Sequence, residues 1–524
     1  MEWSKTTCGA PHRRLRPHPH LYEINTWPWL DALSRRHGRS LTLGGVPDAQ
    51  WDALAALGID LVYLMGIWRR SPLGREIARS NALMFPEYDR ALPRWQTSDV
   101  VGSAYSIAAY EPDPRIGSWA DVDAVREKLH ARGMQLVVDF IPNHTGFDHG
   151  WMHDHPARYV SAPADVAGRD PSAFRTVALP SGERRFVACG RDPYFPPWTD
   201  VAQLDHFNDD TRAAIIGELR TIAQHADGAR CDMAMLALTD VFGRTWGSLV
   251  HAPAPATEFW SDARAAVPGF TLIAEVYWDL ESRLQQLGLD FTYDKRLYDR
   301  LVHEAARDVR AHLVADDAFQ RRSARFIENH DELRSVVAFG DRVRAAAVAV
   351  STLPGLRFYH DGQFEGRRAR LPVQLGVMPD EPVDEGLLAF YRRLLAIVDS
   401  APFHDGEWRL LELSPAGDDS HENLVAWRWR GHPVDAPLRI VVVNLGDGPA
   451  QGHVVLGGDL PTGGETLTFE DLLDGQRYPW PRAAIETGGG LYVRLERGGA
   501  HVFAVDVTPL RNDRRRFPLA RPRD

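Results

Sequence analysis

The chain has little cysteine and no surplus of positive charge. Its 524 residues include only 3 cysteines, Cys8, Cys189 and Cys231, too few and too scattered for a disulfide framework or a zinc site. Such cysteine usage is typical of a reducing compartment, so we expect a cytoplasmic protein. The formal net charge of -11 argues against a nucleic-acid partner, because binding nucleic acid requires a basic surface.

Long apolar runs are also missing. Residues 1–19 are polar and rich in Pro, His and Arg, which predicts a flexible N-terminal arm and no signal peptide. No window approaches the roughly 18 apolar residues that a membrane helix needs, so no membrane partner is expected. Residues 509–524 are basic and contain proline, which predicts a disordered tail. The oligomeric state stays open.

The chain does have a regular alternation of strand-like and helical segments. Eight apolar strand candidates lie between residues 21 and 359, and most are separated by helical stretches. This alternation is typical of a parallel sheet, and eight such units over about 400 residues predict an α/β protein with a (β/α)8 TIM barrel. A doubly wound sheet is the alternative, but no glycine-rich nucleotide fingerprint follows any strand.

The barrel is predicted to span residues 20–399, with two long interruptions. Residues 69–110 are too long for a plain connection, and residues 145–208, after the third strand, are long enough for an inserted lobe. From residue 400 to 508 short β-rich runs are separated by Gly and Pro turns, which predicts a separate antiparallel β-sandwich domain.

Arg230 and Asp232 stand two positions apart in a short apolar run. In an extended strand they face the same side, so the guanidinium and the carboxylate would share one space. A cation beside a carboxylate lowers its pKa and keeps it ionised, as a nucleophilic or charge-stabilising carboxylate requires. Taken alone, the pair could equally be a structural ion pair.

Polar residues follow four of the predicted barrel strands. In a TIM barrel, such residues at the carboxyl ends of strands line the active site. If the barrel closes, Asp232, Glu275 and Asp331 meet at one mouth. Converging carboxylates suit glycoside chemistry, because one attacks the anomeric carbon while another protonates the leaving oxygen and later activates water. The residues at these four strand ends are Asp139 with Asn143 and His144; Arg230 with Asp232; Glu275 with Tyr277 and Trp278; and Asn329, His330 and Asp331 with Arg334.

Four segments carry a more specific signal. Residues 138–144 (VDFIPNH), 228–232 (GARCD), 273–278 (IAEVYW) and 326–331 (FIENHD) occur in this order on the predicted strands. They resemble the four signature segments of the alpha-amylase family, glycoside hydrolase family 13. Residues 105–117 and 203–208 resemble two further segments of that family.

The resemblance implies a role for each matching residue. Asp232 would be the nucleophile, Glu275 the general acid/base and Asp331 the transition-state stabiliser. The family mechanism is double displacement with retention, here at α-glucosidic bonds of malto-oligosaccharides or α-glucan. By the same resemblance Asp139 would support Arg230, and the subsite for the attacked sugar would be lined by Tyr105, His144, Arg230, His330 and Arg334.

The chain departs from the family pattern at two places. Ser106 and Ala109 stand where members that act on chain ends often carry Asp, which weakens the expectation of a tight clamp on a terminal glucose. Residues 233–236 read Met-Ala-Met-Leu, without the Lys-His pair of many starch-cutting members. The choice between internal and terminal cleavage therefore stays open.

No cofactor is expected to be required. Asn143 matches a calcium ligand of the calcium-dependent members, so calcium is possible, but its partners in the lobe cannot be identified from the sequence. Three functions compete: a hydrolase, a transglycosylase or phosphorolytic enzyme with the same acids, and a non-catalytic sugar-binding barrel.

Overall fold

The computed structural model describes residues 15–431 and 437–507. Eight parallel strands close into a barrel in chain order, and the last strand pairs with the first. This confirms the TIM barrel that the alternating pattern predicts. The barrel strands are β1 (His20–Asn25), β2 (Leu61–Met65), β3 (Gln135–Phe140), β4 (Gly228–Cys231), β5 (Thr271–Ala274), β6 (Phe291–Tyr293), β7 (Ser323–Arg325) and β8 (Leu356–His360).

Every residue of β1 to β5 is buried, as expected for strands that helices cover outside and side chains fill inside. The helix Asp209–His225 is typical of the outer layer: Asn208 caps its first turn, and Ile215, Leu219 and Ile222 lie on its buried face. The α-helices are Thr26–His37, Asp48–Ala56, Pro72–Ser80, Phe85–Ala91, Trp119–His130, Trp151–Asp154, Ala164–Ala167, Asp209–His225, Thr239–Trp246, Phe259–Ala266, Glu281–Gln286, Lys295–His303, Ala306–Leu313, Asp317–Arg321, Ser335–Ala338, Val343–Thr352, Glu385–Val398, Pro402–Asp405 and Arg482–Thr487.

Two insertions rise from the carboxyl end of the barrel. The first, here called the β2–β3 excursion (residues 68–112), begins and ends in a two-stranded sheet of Trp68–Arg70 and Ile107–Pro112. The second is the lobe after β3, whose sheet confirms the inserted lobe of the predicted fold. Its strands are His144–Gly146, Trp198–Gln203, Arg184–Gly190, Ser161–Ala162 and Phe174–Ala178, the last paired with Arg184–Gly190.

The C-terminal part is an antiparallel β domain, as predicted. One face of its strand Leu424–Arg430 carries Val425, Trp427 and Trp429 into the core shared with the barrel. The indole N–H of Trp429 donates to the carbonyl of Thr352 at 2.6 Å, which anchors the domain on a barrel helix. The strands are Glu407–Ser414, Leu424–Arg430, Leu438–Asn444, Ala450–Val455, Thr466–Asp471, Arg477–Pro481, Leu491–Leu495 and Ala500–Val507.

Part of the N-terminal arm packs on the base of the barrel. His18 is buried, and its Nδ1 accepts a hydrogen bond from the backbone N–H of Gly355 at 2.8 Å. Arg16 pairs with Asp60 at 2.7 Å. The remainder of the predicted arm, residues 1–14, and the predicted tail, 509–524, lie outside the described residues. Within residues 15–431 and 437–507 no helix has the length and apolarity that crossing a bilayer requires.

Candidate active site

The barrel hydrogen-bond ladder fixes two of the three acids. The backbone N–H of Asp232, the residue after β4, donates to the carbonyl of Phe140 at 2.8 Å. The backbone N–H of Glu275, the residue after β5, donates to the carbonyl of Cys231 at 3.0 Å. Neighbouring strands therefore present the two carboxylates side by side at the mouth, and Asp331 joins them from the segment after β7.

Arg230 links the three acids. Its Nη1 lies 2.6 Å from Asp232 Oδ1, and its Nη2 lies 2.8 Å from Glu275 Oε2 and 3.8 Å from Asp331 Oδ2. The Arg230 side chain is only 1% exposed, so water does not screen these interactions effectively. One guanidinium thus holds two buried carboxylates and lies close to the third.

The ionisation of Asp232 differs from the sequence-based expectation. Burial raises the pKa of Asp232 to about 7; Arg230 lowers it, and the Glu275 carboxylate raises it further. Arg230 does lower the pKa of Asp232, as predicted, but the net shift is upward, because the loss of hydration outweighs the cation. The sequence shows the ion pair but not the depth at which it is buried.

Asp331 is paired with a charged histidine. His330 Nδ1 donates to Glu23 Oε1 at 2.6 Å, and His330 Nε2 lies 3.0 Å from Asp331 Oδ2. Burial opposes the charge on His330, but Asp331 and Glu23 together raise its pKa well above the usual value. Burial likewise opposes ionisation of Asp331, yet His330 and Arg230 hold the pKa of Asp331 below its usual range. Because the Asp331 side chain is 44% exposed, water weakens this pairing.

Glu275 accepts two further hydrogen bonds. The hydroxyl of Tyr277 donates to Oε1 and the backbone N–H of Met233 donates to Oε2, both at 2.7 Å. Met233 has φ 43°, a left-handed conformation that is unusual for a side chain of this size. The turn directly after Asp232 therefore brings an amide donor to the neighbouring acid.

Besides Arg230 and His330, two more of the predicted subsite residues lie beside the acids. His144 Nε2 lies 3.9 Å from Asp232 Oδ2, and burial lowers the pKa of His144 to about 3, so the ring is neutral. The Tyr105 hydroxyl lies 2.7 Å from His330 Nε2, and its ring packs against the guanidinium of Arg230 at 5.1 Å. The site therefore offers both neutral and charged hydrogen-bonding groups to a polar ligand.

Asp139 and Arg334 bond to residues behind the three acids. Asp139 accepts hydrogen bonds from the Tyr63 hydroxyl at 2.5 Å and from the backbone N–H of Gly66 at 2.6 Å. Arg334 donates from Nη1 to Glu328 Oε1 at 2.6 Å, rather than to any of the three acids within the described part of the chain. Asp139 is thus held by Tyr63 and Gly66, and the charge of Arg230 lowers the pKa of Asp139 against the effect of burial. Arg334 is bonded within the segment after β7.

Sequence reasoning missed Glu23 and the hydroxyl of Tyr277. Glu23 is fully buried in β1, and its only signal is an acid inside an apolar strand. The sequence places Tyr277 beside Glu275 but does not show that its hydroxyl donates to the Glu275 carboxylate. Tyr293, on β6, was also missed; its hydroxyl lies 3.4 Å from Arg230 Nε.

The surroundings of Asn143 do not fit a calcium ion. Its side-chain oxygen accepts a hydrogen bond from the Gln203 amide at 3.0 Å, and its backbone carbonyl accepts another from the same amide. Calcium prefers several free oxygen ligands, carboxylates among them. Among the described residues no group of three His, Cys, Asp or Glu could hold a metal ion.

A cavity of about 450 Å³ opens on the Glu275 side of the site. Phe195, Met233, Tyr277 and Trp278 line it together with six charged side chains, Lys295 among them. Tyr194 packs edge-on against Trp278 with ring centroids 4.9 Å apart, and the Tyr194 and Phe195 side chains are 65% and 66% exposed. Trp278 has a left-handed backbone, φ 66°. Aromatic faces of this kind are good platforms for sugar rings.

Comparison with known proteins finds relatives in the alpha-amylase family. The model of the alpha-amylase catalytic domain matches residues 42–176. Alpha-amylase 3 of Dictyoglomus thermophilum is 24% identical over 298 residues, 53% of this chain and 54% of the relative. Alpha-amylase MalA of Haloarcula japonica is 25% identical over 355 residues, 66% of this chain and 48% of the relative. The chain therefore spans about half the length of these curated relatives.

Solved structures show the same fold. The noncanonic maltogenic alpha-amylase AmyB of Thermotoga neapolitana aligns with a TM-score of 0.65 at 17% identity, covering 94% of this chain and 99% of its own. The alpha-amylase of Geobacillus thermoleovorans, complexed with acarbose, aligns with a TM-score of 0.63 at 16% identity, covering 95% and 100%. The sequence motifs, the catalytic-domain match over residues 42–176 and the relatives agree, and the chain is similar to the alpha-amylase family of glycoside hydrolases.

Proposed function

We propose that the protein hydrolyses α-glucosidic bonds of malto-oligosaccharides or α-glucan by double displacement with retention. The observation that carries this proposal is the grouping of Asp232, Glu275 and Asp331 around Arg230. Two neighbouring carboxyl groups on one face of a site are what a retaining glycosidase needs.

In the first step Asp232 attacks the anomeric carbon while Glu275 gives its proton to the leaving glycosidic oxygen. The old carbon–oxygen bond breaks as the bond to Asp232 forms. In the second step Glu275 takes a proton from water, and the resulting hydroxide displaces Asp232. Arg230, within hydrogen-bond distance of both acids, would keep them oriented through both steps. Asp331, paired with charged His330, would stabilise the positive charge that develops on the sugar.

The test separates the two assigned roles. Asp232→Asn should lower kcat on maltoheptaose by at least about 1,000-fold, since the nucleophile is lost. Glu275→Gln should be equally impaired on maltoheptaose, but should still release fluoride from α-maltosyl fluoride in a first turnover, because fluoride leaves without a proton. The matched control is Asp240→Asn, an exposed carboxylate paired with Arg283.

Retained turnover by Asp232→Asn on either substrate would overturn the assigned nucleophile. Proton NMR of the first product gives the stereochemistry, and an initial β-anomer would overturn retention. Circular dichroism confirms that each variant is folded.

Transglycosylation is a second candidate, favoured by the aromatic cavity beside Glu275. Tyr194, Phe195 and Trp278 could hold an acceptor sugar and exclude water from the second step. Products longer than the maltoheptaose supplied would identify this activity. Phosphorolysis is disfavoured, because both cations of the same cavity face carboxylates: Lys295 is paired with Asp299, and Arg296 lies 3.7 Å from Asp279.

A further inference from the structure

Two loops are joined on the Asp331 side of the site. One is the β2–β3 excursion, and the other is the segment after β8, here called the β8 loop (residues 361–384). The backbone N–H of Val101 donates to the carbonyl of Gln374, and that of Gly376 donates to the carbonyl of Asp99, both at 2.8 Å. The two loops therefore pair like strands, and we call this junction the seam.

The seam has its own apolar core. Leu375 of the β8 loop is fully buried in a cluster with Tyr88 and Val100 of the excursion. From beneath, Arg70 Nη1 donates to the carbonyl of Val373 at 2.8 Å. A junction with backbone pairing and a packed core resists opening, so the seam is a fixed wall rather than a mobile lid.

The charged pair of Arg370 and Glu87 connects the wall to the segment that carries Asp331. Arg370 Nη1 donates to the backbone carbonyl of Asp331 at 2.9 Å, and Arg370 Nη2 lies 3.2 Å from Glu87 Oε2. The two side chains are 38% and 40% exposed, so both reach solvent above the wall. The wall therefore begins directly behind Asp331.

The position of the proton donor gives the direction of the substrate. Glu275 must lie beside the leaving oxygen, so the released part of the sugar chain occupies the cavity at Tyr277 and Trp278. The attacked sugar extends the other way, toward Tyr105, Asp331 and the seam. The non-reducing end of the glucan therefore points at the wall.

We propose that the seam makes the cleft blind on this side, so that the enzyme cleaves only next to the non-reducing end of a chain. This inference rests on the proposed hydrolysis. Position 106 supplies no group to this end, since Ser106 is buried and its hydroxyl donates to the backbone carbonyl of Asp200 at 2.8 Å. Arg370 and Glu87 supply charged groups at the blind end, suited to the free hydroxyls of a terminal glucose.

The experiment compares 4-nitrophenyl maltoheptaoside with the same compound carrying an ethylidene cap on the 4- and 6-hydroxyls of its non-reducing end. Products are separated by chromatography and identified by mass spectrometry. We expect the uncapped compound to be cleaved at least about 100-fold faster, because the cap prevents the terminal sugar from seating. Similar cleavage of both would overturn the blind cleft while leaving hydrolysis intact, whereas cleavage of neither would overturn the proposed hydrolysis itself.

A variant tests the charged pair separately. Glu87→Ala removes the link from the excursion to Arg370 and should raise the ratio of capped to uncapped cleavage severalfold. The matched control is Glu76→Ala, whose partner Arg79 lies in the same helix, so that no loop-to-loop contact is lost. An unchanged ratio in Glu87→Ala would show that the Glu87–Arg370 pair does not help to close this end of the cleft.

Discussion

Replacing Arg230 with Met should show how much the shared cation stabilises a fold that groups three acids. Arg230→Met keeps much of the side-chain volume but leaves Asp232 and Glu275 buried without their shared cation. Breaking a buried ion pair typically costs about 3–5 kcal/mol, because an uncompensated charge remains. We therefore expect the free energy of unfolding to fall by about 3–5 kcal/mol at pH 8.

The sign of the pH dependence follows from proton linkage. Without Arg230, burial raises the folded-state pKa of Asp232 still further above its unfolded value of 3.8, so the folded state binds more protons between these two values. The parent protein already has a raised Asp232 pKa of about 7, so both proteins lose stability in parallel up to that pH. The extra loss in Arg230→Met should therefore grow only above about pH 7, by at most about 1.4 kcal/mol per pH unit from this group.

Urea unfolding at pH 4 and pH 8 measures both effects. The control is Arg35→Met, which removes an exposed pair with Asp31 and should cost at most about 1 kcal/mol at either pH. Adding Asp232→Asn to Arg230→Met should recover part of the loss, since it removes one of the stranded charges. A loss in Arg230→Met that is equal at both pH values would refute the reasoning.

Three further predictions concern Asp232, Tyr277 and Trp429. Since Asp232, the proposed nucleophile, must be ionised and burial raises its pKa to about 7, kcat/KM should fall as the pH drops below about 7; an acid limb at 3.8 would contradict this. Tyr277→Phe should lower kcat about 10- to 100-fold by removing the donor to Glu275, and unchanged kcat would assign the hydroxyl no role. Trp429→Ala should lower the free energy of unfolding by about 3–5 kcal/mol in urea, and a loss below about 1 kcal/mol would show that its bond to Thr352 does not anchor the β domain.

The barrel and its three acids were accessible from the sequence because both leave local patterns. A buried parallel strand reads as an apolar run, and Asp232 and Glu275 each follow such a run directly. Asp331 follows the seventh run within the segment FIENHD. Once eight runs imply closure, the carboxyl ends must meet at one mouth.

The partners of the acids were less accessible, because they depend on packing between distant strands. Nothing local indicates that Glu23 of β1 meets His330 of the segment after β7. Arg334 stands only three residues after Asp331, yet the helix Ser335–Ala338 begins next to it and its guanidinium binds Glu328. Burial depth, which set the pKa of Asp232, also emerges only from the three-dimensional packing.

The left-handed backbone beside the acids has a consequence for the selection of thermostable variants. Among the described residues, three of the five non-glycine positions with a left-handed backbone are Met233, Trp278 and Asp279, directly after Asp232 and shortly after Glu275. Each such position costs on the order of 1–3 kcal/mol, which glycine would not incur. A library screened only for survival at high temperature should therefore accumulate glycine or asparagine at these three positions, and its winners should be slower enzymes.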